Sequence, residues 1–152
     1  MQVETLKDIL HWTKMFHEQL SQCLSHCSDV NTSERVRMIL VYLSDHEEKL
    51  MKVVNNLEAS GDEHALNTWS YEYINKQPIV QHVHCDSPFA KLDSAQIMDV
   101  IVERHEQVIE LYRYLAAQAH IPSSKELLES LLSLEEHETM LMVHAANRFE
   151  DL

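Results

Sequence analysis

Apolar residues recur every three or four positions along four long stretches of this chain, the period of a helix with one buried face. The first stretch runs from about Val3 to Cys27 and carries Leu6, Ile9, Leu10, Phe16, Leu20, Leu24 and Cys27 on one side. After a break at Ser28-Asp29-Val30, a second helix is predicted from near Thr32 to about Ala59, because Asn31 and Glu34 have capping-box spacing. Its stripe is Val36, Ile39, Leu40, Leu43, Leu50, Val54 and Leu57. A third helix starts at Asp93 or Ser94 and reaches about Ala119 through Ile101, Val102, Val108, Ile109, Leu115 and Ala116. His120-Ile121-Pro122 makes a tight turn. Ser123 and Glu126 then cap a fourth helix ending near Glu150, with Leu127, Leu131, Leu134, Leu141, Ala145 and Phe149 inward.

Between the second and third helices lies a connection from Ser60 to Asp93. It is too long to be all loop in a compact domain, where structureless segments beyond about 15 residues are uncommon. Glu63 to Asn75 is expected to form a short helix, and Pro78 to Leu92 reads as extended and irregular. The halves on either side resemble each other. His17-Glu18-Gln19 recurs as His105-Glu106-Gln107, and Thr32-Ser33 through His46-Glu47 lines up on Ser123-Ser124 through His137-Glu138. The expected architecture is an all-α, antiparallel four-helix bundle, in which two related hairpins are joined by a long crossover within one domain covering residues 1–152.

Composition fits that picture and narrows the function. One Gly and three Pro in 152 residues leave little to break helices. A formal charge of −13 argues against nucleic acid and anionic membrane surfaces as partners. No apolar run approaches the roughly 18 residues needed to span a bilayer, and the N-terminus lacks a signal-peptide pattern. Three cysteines form no disulfide framework, so a reduced, cytoplasmic setting is expected.

The chemistry is carried by four His-Glu pairs: His17-Glu18, His46-Glu47, His105-Glu106 and His137-Glu138, each near the middle of a predicted helix. Stepping about 100° per residue places His17 and His105 inside their stripes. It places Glu47 and Glu138 inside theirs, with His46 borderline and His137 pointing away. Their distances from the turns agree to within roughly one helical turn at about 1.5 Å per residue, so the four inward groups share one layer. Glu135, one turn before Glu138 and partly inward, is a possible fifth member, with Ser44 as its counterpart in the first hairpin. Ionisable groups at one level of a core are costly unless something compensates them. A metal ion would do so, and two Glu–His ion pairs without metal would do so as well.

These residues in this topology resemble the ferritin-like superfamily of carboxylate-bridged metal bundles, which includes bacterioferritins and rubrerythrins. That resemblance implies terminal ligands on the first and third helices, here His17 and His105, and bridging carboxylates on the second and fourth, here Glu47 and Glu138. It departs from the family at Leu50 and Leu141, which stand where the family's Glu-x-x-His motifs place their His. Hemerythrin-like bundles are a second, poorer resemblance, because their His-x-x-x-Glu and His-x-x-x-His spacings are missing. What the first resemblance implies is a non-haem oxidoreductase using O₂ or peroxide at one or two irons, with manganese or zinc as other possible ions. A non-catalytic bundle, serving as a metal-binding, sensory or dimerising scaffold, is the alternative; a homodimer or monomer is expected rather than a cage.

Other features carry weaker chemistry. Tyr112, two turns beyond His105, and Thr13, one turn from His17, are expected beside the layer. Gln81 to Asp86 brings His82, His84 and Cys85 together in the crossover, as a second metal site or a His-rich loop. Cys23 and Cys27 share a helix face, and His137 and His144 mark an outward stripe. Trp69, Tyr71 and Tyr73 are expected to pin the crossover to the bundle.

Overall fold

The computed structural model describes residues 5–67, 89 and 91–150. Four long helices, α1 (Leu6–Val30), α2 (Glu34–Ser60), α4 (Ser94–Gln118) and α5 (Pro122–Glu150), form a helical bundle; α3 (Glu63–Leu66) is a single turn after α2. The described residues contain no strand. The candidate site at Gln81–Asp86 and the aromatic residues Trp69, Tyr71 and Tyr73 lie outside the described residues. Of the short helix expected over Glu63–Asn75, residues 68–75 also lie outside the described residues, and α3 itself ends at Leu66 with Asn67 as its cap.

Local chemistry explains where the helices begin and end. Thr5 caps α1 in a reciprocal box, accepting from the Asp8 amide while Asp8 accepts from the Thr5 amide. Asp93 and Gln96 repeat the device at α4. The break expected at Ser28-Asp29-Val30 falls three residues later, because Ser28 turns its hydroxyl back to the Ser25 carbonyl and stays helical. The polar turn is Asn31 to Ser33. Asn31 accepts from the Ser33 amide, and Ser33, not Asn31, caps α2. At α5 the first helical residue is Pro122, where a missing amide proton costs nothing.

Gly61, which ends α2, has φ −68° and ψ 162°, so no left-handed conformation requires it. Space does. A Cβ there would lie 2.5 Å from the Leu57 carbonyl oxygen and 3.3 Å from Leu66 Cδ1. Glycine leaves room for the Leu66 side chain of α3, which packs against α5 and α1.

The core is aliphatic and aromatic, built on Phe16, Leu20, Leu40, Leu43, Ile101 and Leu111, all fully buried. The stripes expected on α1 and α2 are inside, except that Leu57 is only partly covered. The face of α5 is turned from the expected one. Leu128, Leu131, Glu135, Met142, Ala145 and Ala146 are buried, whereas Leu141 is 38% exposed. Apolar residues at 127 and 128, 131 and 132, and 141 and 142 make two overlapping stripes of similar hydrophobicity. The stripe chosen is the one that carries Glu135 inward.

The two hairpins correspond through one offset of 88 positions. It relates Leu6 to Ser94, Glu34 to Pro122, and the capping pair Thr5 and Asp8 to Asp93 and Gln96. Among the described residues no helix is long and apolar enough to cross a membrane. Cys27 is buried and outside any disulfide, whereas Cys23 is disulfide-bonded.

Candidate metal centre

One side chain from each long helix meets at mid-bundle: His17 from α1, Glu47 from α2, His105 from α4 and Glu135 from α5. Exposure is 0% for the first three and 1% for Glu135. They form a closed ring. His17 donates through Nδ1 to Glu47 Oε2 at 2.7 Å and through Nε2 to Glu135 Oε1 at 2.6 Å. His105 donates through Nδ1 to Glu135 Oε2 at 3.0 Å and through Nε2 to Glu47 Oε1. Every ring nitrogen and every carboxylate oxygen is used. Each His bonds through Nδ1 within its own hairpin and through Nε2 across to the other, so the ring itself obeys the 88-position offset.

Burial and charge compete here, and charge wins. Desolvation alone would push the imidazoles down. The Glu135 charge and hydrogen bonds to both carboxylates instead carry His17 up to about 9. His105 rises to about 10 on the Glu47 charge and the same kind of bonding. Desolvation would raise the carboxyls, yet His105 first holds Glu47 below its ordinary range, and His17 first draws Glu135 down to about 2. At neutral pH the ring holds two imidazolium and two carboxylate charges and is electrically balanced.

The walls are aromatic. Phe16 meets the His17 ring edge-on at 5.3 Å and His105 at 6.5 Å, and Trp12 stacks behind Phe16 at 5.7 Å. The two imidazoles lie 5.6 Å apart between centroids. Tyr112 and Thr13 stand beside the layer. Tyr112 donates to Thr13 Oγ1 at 3.0 Å, and Thr13 donates to the Leu10 carbonyl at 3.1 Å. Burial, then the Glu135 charge, holds the Tyr112 phenol far above its ordinary range, so it stays protonated.

The remaining candidates are placed differently. Glu138, expected inward, stands on the flank of α5 with its side chain 17% exposed, and accepts from His46 Nδ1 at 2.8 Å. His46 is buried at 8% and packs against the Tyr42 ring, 4.5 Å away. His137 and His144 are exposed. Glu135, expected as a fifth member opposite Ser44, is instead the counterpart of Glu47. The signal was present in the chain: His17 and His105 already define the offset of 88, and applying it to Glu47 gives Glu135. The repeated dipeptide His46-Glu47 and His137-Glu138 implies 91 instead, nearly one turn further along α5.

The donor set suits a cation. His17, Glu47 and His105 present ligand atoms that all lie within 4.8 Å of one another, and Glu135 bonds both imidazoles. Imidazole with carboxylate is the ligand chemistry of iron, manganese and zinc rather than of magnesium or calcium. A divalent cation can also replace the two surplus imidazolium protons without changing the charge of the layer.

The fold is that of a ferritin-like helical bundle. A crystal structure from Thermotoga maritima, described as that of a ferritin-like diiron-carboxylate protein, matches 97% of this chain over 97% of its own, with a TM-score of 0.67 and 11% identity. No protein-family model and no curated protein sequence matches the chain significantly.

Proposed function

We propose that the His17–Glu47–His105–Glu135 layer is a transition-metal centre, and that the protein is a small non-haem iron or manganese oxidoreductase acting on O₂ or peroxide. The observation that carries this reading is the convergence of four ligand-type side chains, one from each long helix, in a layer sealed from solvent. A bundle that needed only stability would fill these positions with apolar residues, since buried ion pairs rarely improve on them. The neighbour's description as a diiron-carboxylate protein supports the choice of metal class.

Each residue has a task in this reading. His17 and His105 would each offer one imidazole nitrogen to the ion, and a carboxylate partner kept on the other nitrogen would fix the tautomer and the ring orientation. Glu47 and Glu135, which span both imidazoles, would supply the carboxylate ligands. Phe16 and Trp12 keep water from that side, and Tyr112 keeps a protonated phenol in the adjacent layer. Iron or manganese held here supplies electron transfer with a small oxidant.

The mutual satisfaction of all donors and acceptors favours a second reading, a metal-free ion-paired core in a non-catalytic scaffold. Metal analysis of protein purified without added metal separates the two. Iron or manganese at one or two per chain, lost in Glu135→Gln and Glu47→Gln, is the expected result. Stoichiometric zinc would turn the proposal toward hydrolysis or structure, and failure to take up any metal on reconstitution would establish the scaffold.

A further inference from the structure

The buried layer obeys the pseudo-two-fold, but the residues beside it do not. The 88-position offset maps His46 onto Leu134 and Glu138 onto Leu50. Where α2 and α5 meet, one side of the layer therefore carries a hydrogen-bonded imidazole and carboxylate, and the equivalent positions carry two leucines. The side chains of the polar pair are 10% and 17% exposed, whereas of the two leucines Leu50 is buried and Leu134 is partly exposed. Tyr42 packs on His46 and meets Phe149 at 5.8 Å, framing the pair on its outer side.

Other polar groups next to the layer are committed or shut in. Ser21 and Ser44 each donate to the other's backbone carbonyl, at 2.9 and 2.8 Å. Thr13 and Tyr112 are bonded to one another at 0% exposure. His46 and Glu138 differ from these in combining donors of the layer's own kind with side chains that reach solvent. His46 adjoins Glu47 in the chain, and Glu138 lies one turn from Glu135, so the outer donors stand on the two helices that carry the inner carboxylates.

We propose that His46 and Glu138 form a capture site at the α2–α5 seam, which takes a divalent transition-metal cation from solvent and passes it to the buried layer. This rests on reading that layer as a metal centre. The imidazole nitrogen is the borderline donor that favours such a cation over magnesium or calcium, and the carboxylate oxygen 2.8 Å from it adds negative charge. Two donors hold it weakly and four hold it firmly, so the ion moves inward. The −13 charge of the chain draws cations towards it, and the Glu138 carboxylate localises them.

Cobalt(II) is a suitable probe, because its visible absorption reports the moment of coordination. Stopped-flow uptake is compared for the wild-type chain, His46→Gln and Glu138→Gln, with Glu135→Gln as a control lacking a layer carboxylate. Glutamine retains hydrogen bonding at both flanking sites, and circular dichroism verifies the fold of each variant. Uptake about 10-fold slower in His46→Gln and Glu138→Gln, ending at wild-type cobalt content and spectrum, is the expected result. Uptake at the wild-type rate, or faster, makes the pair a mere latch and overturns the proposal. A reduced final content makes the pair part of the centre itself and overturns it too. A wild-type chain that takes up no cobalt defeats the metal centre and the capture site together, whereas normal loading at unchanged rates defeats only the capture site.

Discussion

At the scale of single residues, the quartet is held by reciprocity. Removing one carboxylate leaves two buried imidazolium groups each short of a partner, and no water reaches either to replace it. In the metal-free protein, Glu135→Gln should cost about 3–5 kcal/mol, the usual penalty for breaking a buried ion pair from one side. Urea denaturation at pH 7 measures it. Replacing His17, Glu47, His105 and Glu135 together by Leu or Met should restore that stability or exceed the wild type, since no charge is then left buried. A quadruple variant less stable than Glu135→Gln would show that the ring serves the fold itself. The inward imidazoles were legible in the sequence because His17 and His105 sit deep within unambiguous stripes. Glu135 was only half legible. Nearly equal apolar stripes on α5 leave its rotation undetermined until the pairing with His17 and His105 is counted, and that pairing is tertiary.

At the scale of elements, the helices were readable almost throughout, and so were the ends of α4 and α5; the turn between α1 and α2 was not. Four amphipathic patterns gave four helices, but the turn between α1 and α2 moved, because Ser28 can bond its own helix and Asn31 can organise a turn. Both side chains have two uses, and only the packed chain selects one. Gly61 illustrates the same limit. A glycine after a helix suggests a left-handed cap, yet its φ is negative and the requirement is room beside the Leu57 carbonyl. Gly61→Ala should therefore destabilise the protein by about 1–3 kcal/mol through a backbone shift. The loss is read as a lowered denaturation midpoint with an unchanged slope. A neutral substitution would mean that α3 moves aside without cost.

At the scale of the whole molecule, the ring ties global stability to pH. The metal-free protein gains from imidazoles whose folded pKa values, about 9 and about 10, lie above the ordinary 6.5. That gain is complete below pH 6.5 and is lost as pH rises through 9 and 10. Glu135, drawn down to about 2, contributes above pH 4.5 and ceases to contribute as pH falls towards 2. Stability of the metal-free chain should be greatest between about pH 4.5 and 6.5 and decline on both sides. Denaturation midpoints from pH 3 to 10 give the profile, and a maximum at pH 8 or above would contradict the protonated ring.

A pocket that completes its own hydrogen bonding with protons has a consequence for the life of the protein in a cell. On the proposed reading, a chain stripped of its ion keeps the hydrogen bonds of the layer and waits ready-made for the next atom. Its abundance should then follow synthesis rather than mineral supply. Starvation for the element would leave behind a standing population of intact, idle molecules.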